Sequence, residues 1–191
     1  MGDEEPAARR RSDAERNRAK ILAAARTAFV DEALDGVSMA EVARRAGVGM
    51  ATLYRNFPGR RELLETLFTD EVDGLCVAAT AGEGESPVAA LTVWLHRFAA
   101  FLSSKHRLAA ELLKHTDVSD PVFGGRDRVL DAGRPLLAAA QAARQVRTDL
   151  SIEQVLDLVL AVATINGEDE YIGPILDTAL DGLRSPGTGG A

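Results

Sequence analysis

Ser38-Met-Ala-Glu-Val-Ala-Arg-Arg-Ala-Gly-Val-Gly-Met-Ala-Thr-Leu-Tyr-Arg-Asn-Phe57 decides the fold, because it reads as two short helices joined by a glycine turn. Ser38 is an N-cap, and Glu41 follows at the spacing of a capping box. Met39, Val42, Ala43 and Ala46 lie on one helical face. Gly47 stands where a helix ends in a left-handed residue. Gly49 opens the second helix, as a weaker cap than Ser or Thr. Leu53 and Phe57, four apart, face inward together. Met50, Ala51, Thr52, Tyr54 and Arg55 are left on the outer side of a very short helix, which Pro58-Gly59 stops. A helical hairpin of this shape is one way to place a helix end in a DNA major groove, and helix pairs with no such role are also common.

The charge around the hairpin favours the DNA reading. Residues 9–61 carry 12 Lys+Arg against 6 Asp+Glu, while residues 71–191 carry 10 against 17. An acidic chain of net charge −7 therefore contains one basic module, with Arg44, Arg45, Arg55, Arg60 and Arg61 in or beside the hairpin. A local positive face is what phosphate contact requires.

Gly47-Val-Gly-Met-Ala-Thr-Leu-Tyr-Arg-Asn-Phe-Pro-Gly-Arg-Arg-Glu-Leu63 resembles the DNA-binding signature of TetR-family transcriptional regulators. The upstream stretch agrees: Ile21-Leu-Ala-Ala-Ala25 with Phe29, then Gly36 and Ser38 to Ala43. The match covers about residues 12–66. It departs from the family's habit at Gly49 (often Ser or Thr), Met50 (often polar or basic) and Arg60 (often Lys). Resemblance and chemistry together imply DNA contacts from Ser38, Arg44, Gly49, Met50, Ala51, Thr52, Tyr54, Arg55 and Arg60. Thr52 offers a hydroxyl and a thymine-facing methyl, Arg55 a bidentate fork for guanine, and Tyr54 and Arg60 donors for phosphate. Arg9 to Arg11 read either as a minor-groove arm or as a solvated tail.

Outward from the hairpin, Ser12-x-x-Glu15 predicts the start of a long first helix over about residues 13–34. Leu34-Asp35-Gly36 is its stop. A fourth helix, running to about Ala79, begins after Pro58-Gly59. Gly82 to Ser86 reads as a link. Leu91, Trp94, Leu95, Phe98 and Leu102 form a helical stripe. Leu108, Leu112 and Leu113 mark a separate short helix ending near His115, and Pro121 to Gly125 a loop. A helix over about residues 126–145 is expected to kink or restart at Pro135. A helix starting at Ser151 and a last helix starting at Pro174, after a loop over 167–173, complete an all-α fold of about nine helices.

A single recognition helix reads few base pairs, so such modules bind as two-fold dimers. The resemblance implies that the last two helices pair with their copies as a four-helix bundle, through Ile152, Val155, Leu156, Val159, Ile175, Leu176, Ala179 and Leu183. It also implies a small-molecule effector inside the helical C-terminal domain. Candidate lining residues are Trp94, Phe98, Phe101, His115, Phe123 and Asn166, each with core or surface packing as its plain alternative.

Other chemistry finds little support. His96, His106 and His115 share no helical face, and Cys76 is the only cysteine, so no metal or cofactor is expected. One cysteine allows no internal disulfide and suits a reducing cytoplasm. No apolar run reaches membrane-spanning length, and the charged N-terminus is unlike a signal peptide. The expected organisation is a disordered basic arm over 1–11, a helix-turn-helix domain over 12–66, an effector-binding and dimerisation domain over 67–184, and a disordered tail over 185–191. The expected function is that of a homodimeric repressor released from a palindromic operator by a small molecule. An activator or an effector-independent regulator stays open, as does a helical scaffold for a protein partner. A helical enzyme built on His115 with Asp117 or Asp120 lacks an arranged nucleophile.

Overall fold

In the computed structural model, residues 4–31, 37–81, 86–113 and 124–185 are described, with side chains for 12–29, 37–80, 86–103, 125–168 and 170–185. Among them are eight helices and no strand: α1 (Glu4–Asp31), α2 (Met39–Ala46), α3 (Met50–Asn56), α4 (Arg60–Ala81), α5 (Pro87–Leu113), α6 (Gly124–Ala142), α7 (Ile152–Ala163) and α8 (Asp169–Asp181). The chain forms two compact units. One contains the described residues up to Phe68 and the end of α5 from Arg107; the other contains the remainder, from Thr69 onward.

The first unit is built around apolar stripes at helical spacing. Ile21, Ala25 and Phe29 of α1 are buried with Val42 and Ala46 of α2, Leu53 of α3, Phe57, and Leu63, Leu64 and Leu67 of α4. α1 begins at Glu4, so residues 4–11 belong to this helix and not to a separate disordered arm. Ser12 accordingly lies inside it and caps nothing. The local sequence explains this: Pro6 fits a first helical turn, and Ala7 to Arg11 are strong helix formers. The expected stop at Leu34-Asp35-Gly36 lies outside the described residues.

The second unit centres on Trp94, 1% exposed, with Leu91 and Leu95 beside it. Its indole Nε1 donates to the Leu75 carbonyl at 3.0 Å, which fixes α5 against α4. α6 crosses close by at Gly133, where a Cβ would stand 2.6 Å from the indole ring; only glycine leaves that room. The segment after α6 pairs with the end of α8: Val146 and Arg184 form an antiparallel bridge. Arg147 N–H donates to the Leu183 carbonyl at 2.9 Å.

Three further helix boundaries differ from the sequence expectation. The stripe at Leu108 to Leu113 continues α5 and is no separate helix, because no glycine or proline interrupts residues 88–113. This accounts for eight helices among the described residues where about nine were expected. α6 runs through Pro135, which is exposed, so water can meet the carbonyl that proline leaves without an N–H partner. α8 starts at Asp169, five residues before Pro174, which it also accommodates at an exposed position. The expected loop at 167–173 is therefore mostly helix. Parts of the expected loop at Pro121 and of the tail from 186 lie outside the described residues.

Candidate nucleic-acid interface and effector groove

The turn between α2 and α3 is made by backbone chemistry. Gly47 adopts φ 64°, ψ 34°, the left-handed conformation expected of it. Its N–H donates to the Arg44 carbonyl at 3.2 Å, and Val48 N–H donates to the Ala43 carbonyl at 3.0 Å. These two bonds close α2 as a Schellman motif. At the other end, Ser38 Oγ accepts from Glu41 N–H at 3.1 Å. The capping box is only half formed, because the Glu41 carboxylate turns to two arginines. Arg44 reaches it through Nε at 2.8 Å and Nη2 at 2.6 Å, and Arg45 through Nε at 2.7 Å. Those bonds, Arg44's first, hold the Glu41 carboxyl at about 2, down from its usual 4.5.

α3 is seven residues long, with Leu53 and the following Phe57 buried at 0% and 1% exposure. Those two side chains set its rotation. Met50, Ala51, Tyr54 and Arg55 are then exposed and Thr52 is half-buried, the side of the helix that the sequence assigned outward. Met50 is 39% exposed and Tyr54 47% exposed. Gly49 caps α3 without a side-chain bond.

Two arginines fix this helix and its surroundings from within the unit. Arg18 of α1 lies over the Phe57 ring, its guanidinium 4.6 Å from the centroid, and donates to the Asn56 carbonyl at 3.5 Å. Arg60 donates to the Val37 carbonyl and lies 5.1 Å from the centroid of Phe29. Arg60, assigned to phosphate from sequence, thus has a packing role that the sequence motif does not reveal. Arg18 carried no motif at all. The Glu41 link to Arg44 and Arg45 was legible as (i, i+3) and (i, i+4) spacing.

In the second unit, Trp94, Phe98 and Phe101 stack in succession along α5, with centroids 6.1 Å and 6.3 Å apart. Trp94 and Phe98 are buried, whereas Phe101 reaches an open groove of about 310 Å³ between α4 and α5. Glu71, Gly74, Leu75 and Ala78 line one side, and Arg97, Ala100 and Phe101 the other. Of the six expected effector residues only Phe101 lines this groove. Asn166 is exposed, and His115 and Phe123 lie outside the described residues. Sequence reasoning missed Arg97 and Glu71, because charged residues on long helices carry no signal of facing a groove.

The residues expected at a dimer interface are largely buried already within the single chain. Ile152, Val155, Leu156, Val159, Leu176 and Leu183 are buried within the single chain, at 0–6% exposure, and Ile175 and Ala179 are half-buried. The six have almost no surface left for a partner, since their stripe already faces the chain's own core. The outer sides of α7 and α8 instead carry Leu160, 43% exposed, and Tyr171, 63% exposed. The start of α7 is a full capping box, with Ser151 Oγ accepting from Gln154 N–H and Gln154 Oε1 accepting from Ser151 N–H.

Among the described residues no cluster of His, Cys, Asp and Glu is arranged to hold a metal ion. His96 meets Asp177 at 3.2 Å, and burial pushes the Cys76 thiol up, away from the reactive thiolate. No described helix is long and apolar enough to cross a membrane.

Known proteins share both units. A family model described as bacterial regulatory proteins, tetR family, matches residues 21–67. A second, the C-terminal domain of SbtR-like transcriptional regulators, matches residues 86–185. The chain is 34% identical to a TetR transcriptional regulator from Streptomyces coelicolor, with a TM-score of 0.75 over 88% of this chain and 99% of that one. A TetR transcription regulatory protein from Mycobacterium vanbaalenii is 32% identical, with a TM-score of 0.74 over 91% and 98%. An uncharacterized HTH-type transcriptional regulator from Mycobacterium bovis is 26% identical over 84% of this chain and 85% of its own.

Proposed function

The chain belongs to the TetR family of bacterial transcriptional regulators, and from that premise we propose that it is a cytoplasmic homodimeric repressor, not an enzyme, released from a palindromic operator by a small molecule. The observation that carries the DNA-reading part is α3. Its two core side chains hold it in one rotation, and its remaining face is turned to solvent inside a basic module. Ser38, Arg44, Gly49, Met50, Ala51, Thr52, Tyr54 and Arg55 supply the contacts in this reading. Arg60 acts first by packing, since its guanidinium is engaged by Val37 and Phe29.

Dimerisation, in this reading, uses the outer sides of α7 and α8 near the turn that joins them. Leu160 and Tyr171 are the apolar anchors there, in place of the buried stripe. Two copies are needed because one short helix reads few base pairs. The effector enters the groove between α4 and α5, where a ring (Phe101), a cation (Arg97) and a carboxylate (Glu71) meet small apolar residues. It shifts the protein only by binding the DNA-incompetent arrangement more tightly than the competent one.

Sedimentation and mobility shift on the same samples test this reading. The wild type should sediment as a dimer and shift its own upstream intergenic DNA with two or more protomers per site. The double variant Leu160→Asp, Tyr171→Asp should stay folded, sediment as a monomer and lose that shift. A wild type that is monomeric at micromolar concentration, yet shifts the DNA with one protomer, contradicts the dimer. Small molecules that abolish the wild-type shift identify the effector.

A further inference from the structure

The leading end of α3 is apolar where hydrogen-bonding side chains would serve a general DNA grip. Gly49 has no side chain, Met50 has a thioether and Ala51 a methyl, and all three are exposed. The fold does not require this composition. Gly49 has φ −73° and ψ 154°, open to any residue, and a Cβ built there meets nothing within 4 Å. A Ser or Thr would cap the helix better at the same place. Met50 is held out of the core, 39% exposed, while Leu53 is fully buried.

In helix-turn-helix modules the N-terminal residues of the second helix meet base edges in the major groove. Every base pair presents donors and acceptors there, and the thymine C5 methyl is the apolar group on offer. Gly49 has no side chain, and the thioether of Met50 and the methyl of Ala51 carry no donor, so what these side chains offer a base is apolar contact with that methyl. Exposed Arg55 on α3, together with the net positive Glu41–Arg44–Arg45 group on α2, supplies the positive charge that brings a duplex to this tip. We propose that Met50 is a specificity-determining residue that packs on a thymine methyl, so that each operator half-site carries an A·T pair at one fixed position. Gly49 leaves the approach to that base clear. The inference rests on the DNA-reading role of α3 proposed above and adds the base that its tip selects.

The test uses the full-length protein and duplexes selected from a random pool. Each thymine of the enriched half-site is replaced in turn by deoxyuridine, which removes only the C5 methyl. At one position the replacement should weaken wild-type binding about fourfold, the effect of one buried methyl group. Met50→Ala should bind the thymine duplex less tightly and lose sensitivity to the replacement, while Met50→Leu should keep it. Circular dichroism of both variants should match the wild type, since the side chain lies outside the core. If duplexes are enriched but no replacement matters, or it matters equally in Met50→Ala, the thymine contact is overturned and DNA reading stands. If no duplex is enriched over the starting pool, the DNA-reading role fails, and the inference with it.

Discussion

α3 and α7 are both short helices that carry exposed apolar side chains, yet they use them in opposite ways. α3 has seven residues, of which only Leu53 is buried, so its outer face is most of the helix. α7 has twelve, five of them buried in its own chain, and its outer face is a remainder. A helix anchored by one (i, i+4) pair leaves little doubt about what faces water. A helix apolar nearly all round states only that it is covered, and does not say whether by its own chain or by a second copy. A hydrophobic stripe predicts burial far better than it predicts the partner.

The largest effect expected is in the second unit, whose core hangs on one side chain. Trp94→Ala should lower stability by about 3–5 kcal/mol, the usual cost of removing a large buried aromatic, read by denaturant unfolding. A loss below about 1 kcal/mol would mean that α4, α5 and α6 do not depend on the indole as their packing indicates.

Two residues that sequence assigned the same role should separate next. Arg60→Ala should cost the first unit about 1–3 kcal/mol, because it removes a charged donor to the Val37 carbonyl and a cation from the Phe29 ring. Tyr54→Ala should leave stability within about 0.5 kcal/mol, as its side chain is outside the core. It should weaken DNA binding on every sequence by about threefold to tenfold, the worth of one hydrogen bond. Equal stability of the two variants would erase the distinction drawn between packing and contact.

A smaller effect follows from Glu41. Its carboxyl is lowered from 4.5 to about 2 by the bonds from Arg44 and Arg45. A depressed carboxyl stabilises the fold above its unfolded value and loses that contribution as pH falls through the folded one. Thermal unfolding of the wild type should therefore weaken further between about pH 4.5 and 2 than that of Glu41→Gln. Parallel curves over that window would show that the arginine pair does not stabilise the turn.

The first unit was the more legible from sequence for a physical reason. Its signals are local: Gly47 in a left-handed turn, Ser38 at a cap, and Leu53 with Phe57 one turn apart. Each is decided by residues within a few positions. What escaped was long-range, as in Arg60 reaching Val37 and Arg18 reaching Phe57, 39 positions on. The second unit depends on such contacts throughout. Its groove joins residues of α4 to residues some 25 positions later on α5, and Trp94 meets Gly133 at a spacing no pattern encodes. The prolines misled in one direction only: Pro135 and Pro174 sit within helices because both lie on exposed positions.

The central claim is that the outer face of α3 reads a DNA sequence. The most direct measurement is an anisotropy titration of the purified protein, at physiological salt, on its upstream DNA and on a scrambled duplex of equal length. The upstream duplex should be preferred at least about a thousandfold, in the range of sequence-specific binders, and this preference should collapse in Arg55→Ala without loss of fold. Equal weak binding to both duplexes, vanishing as salt rises, would reduce the basic module to phosphate contact alone and contradict the claim.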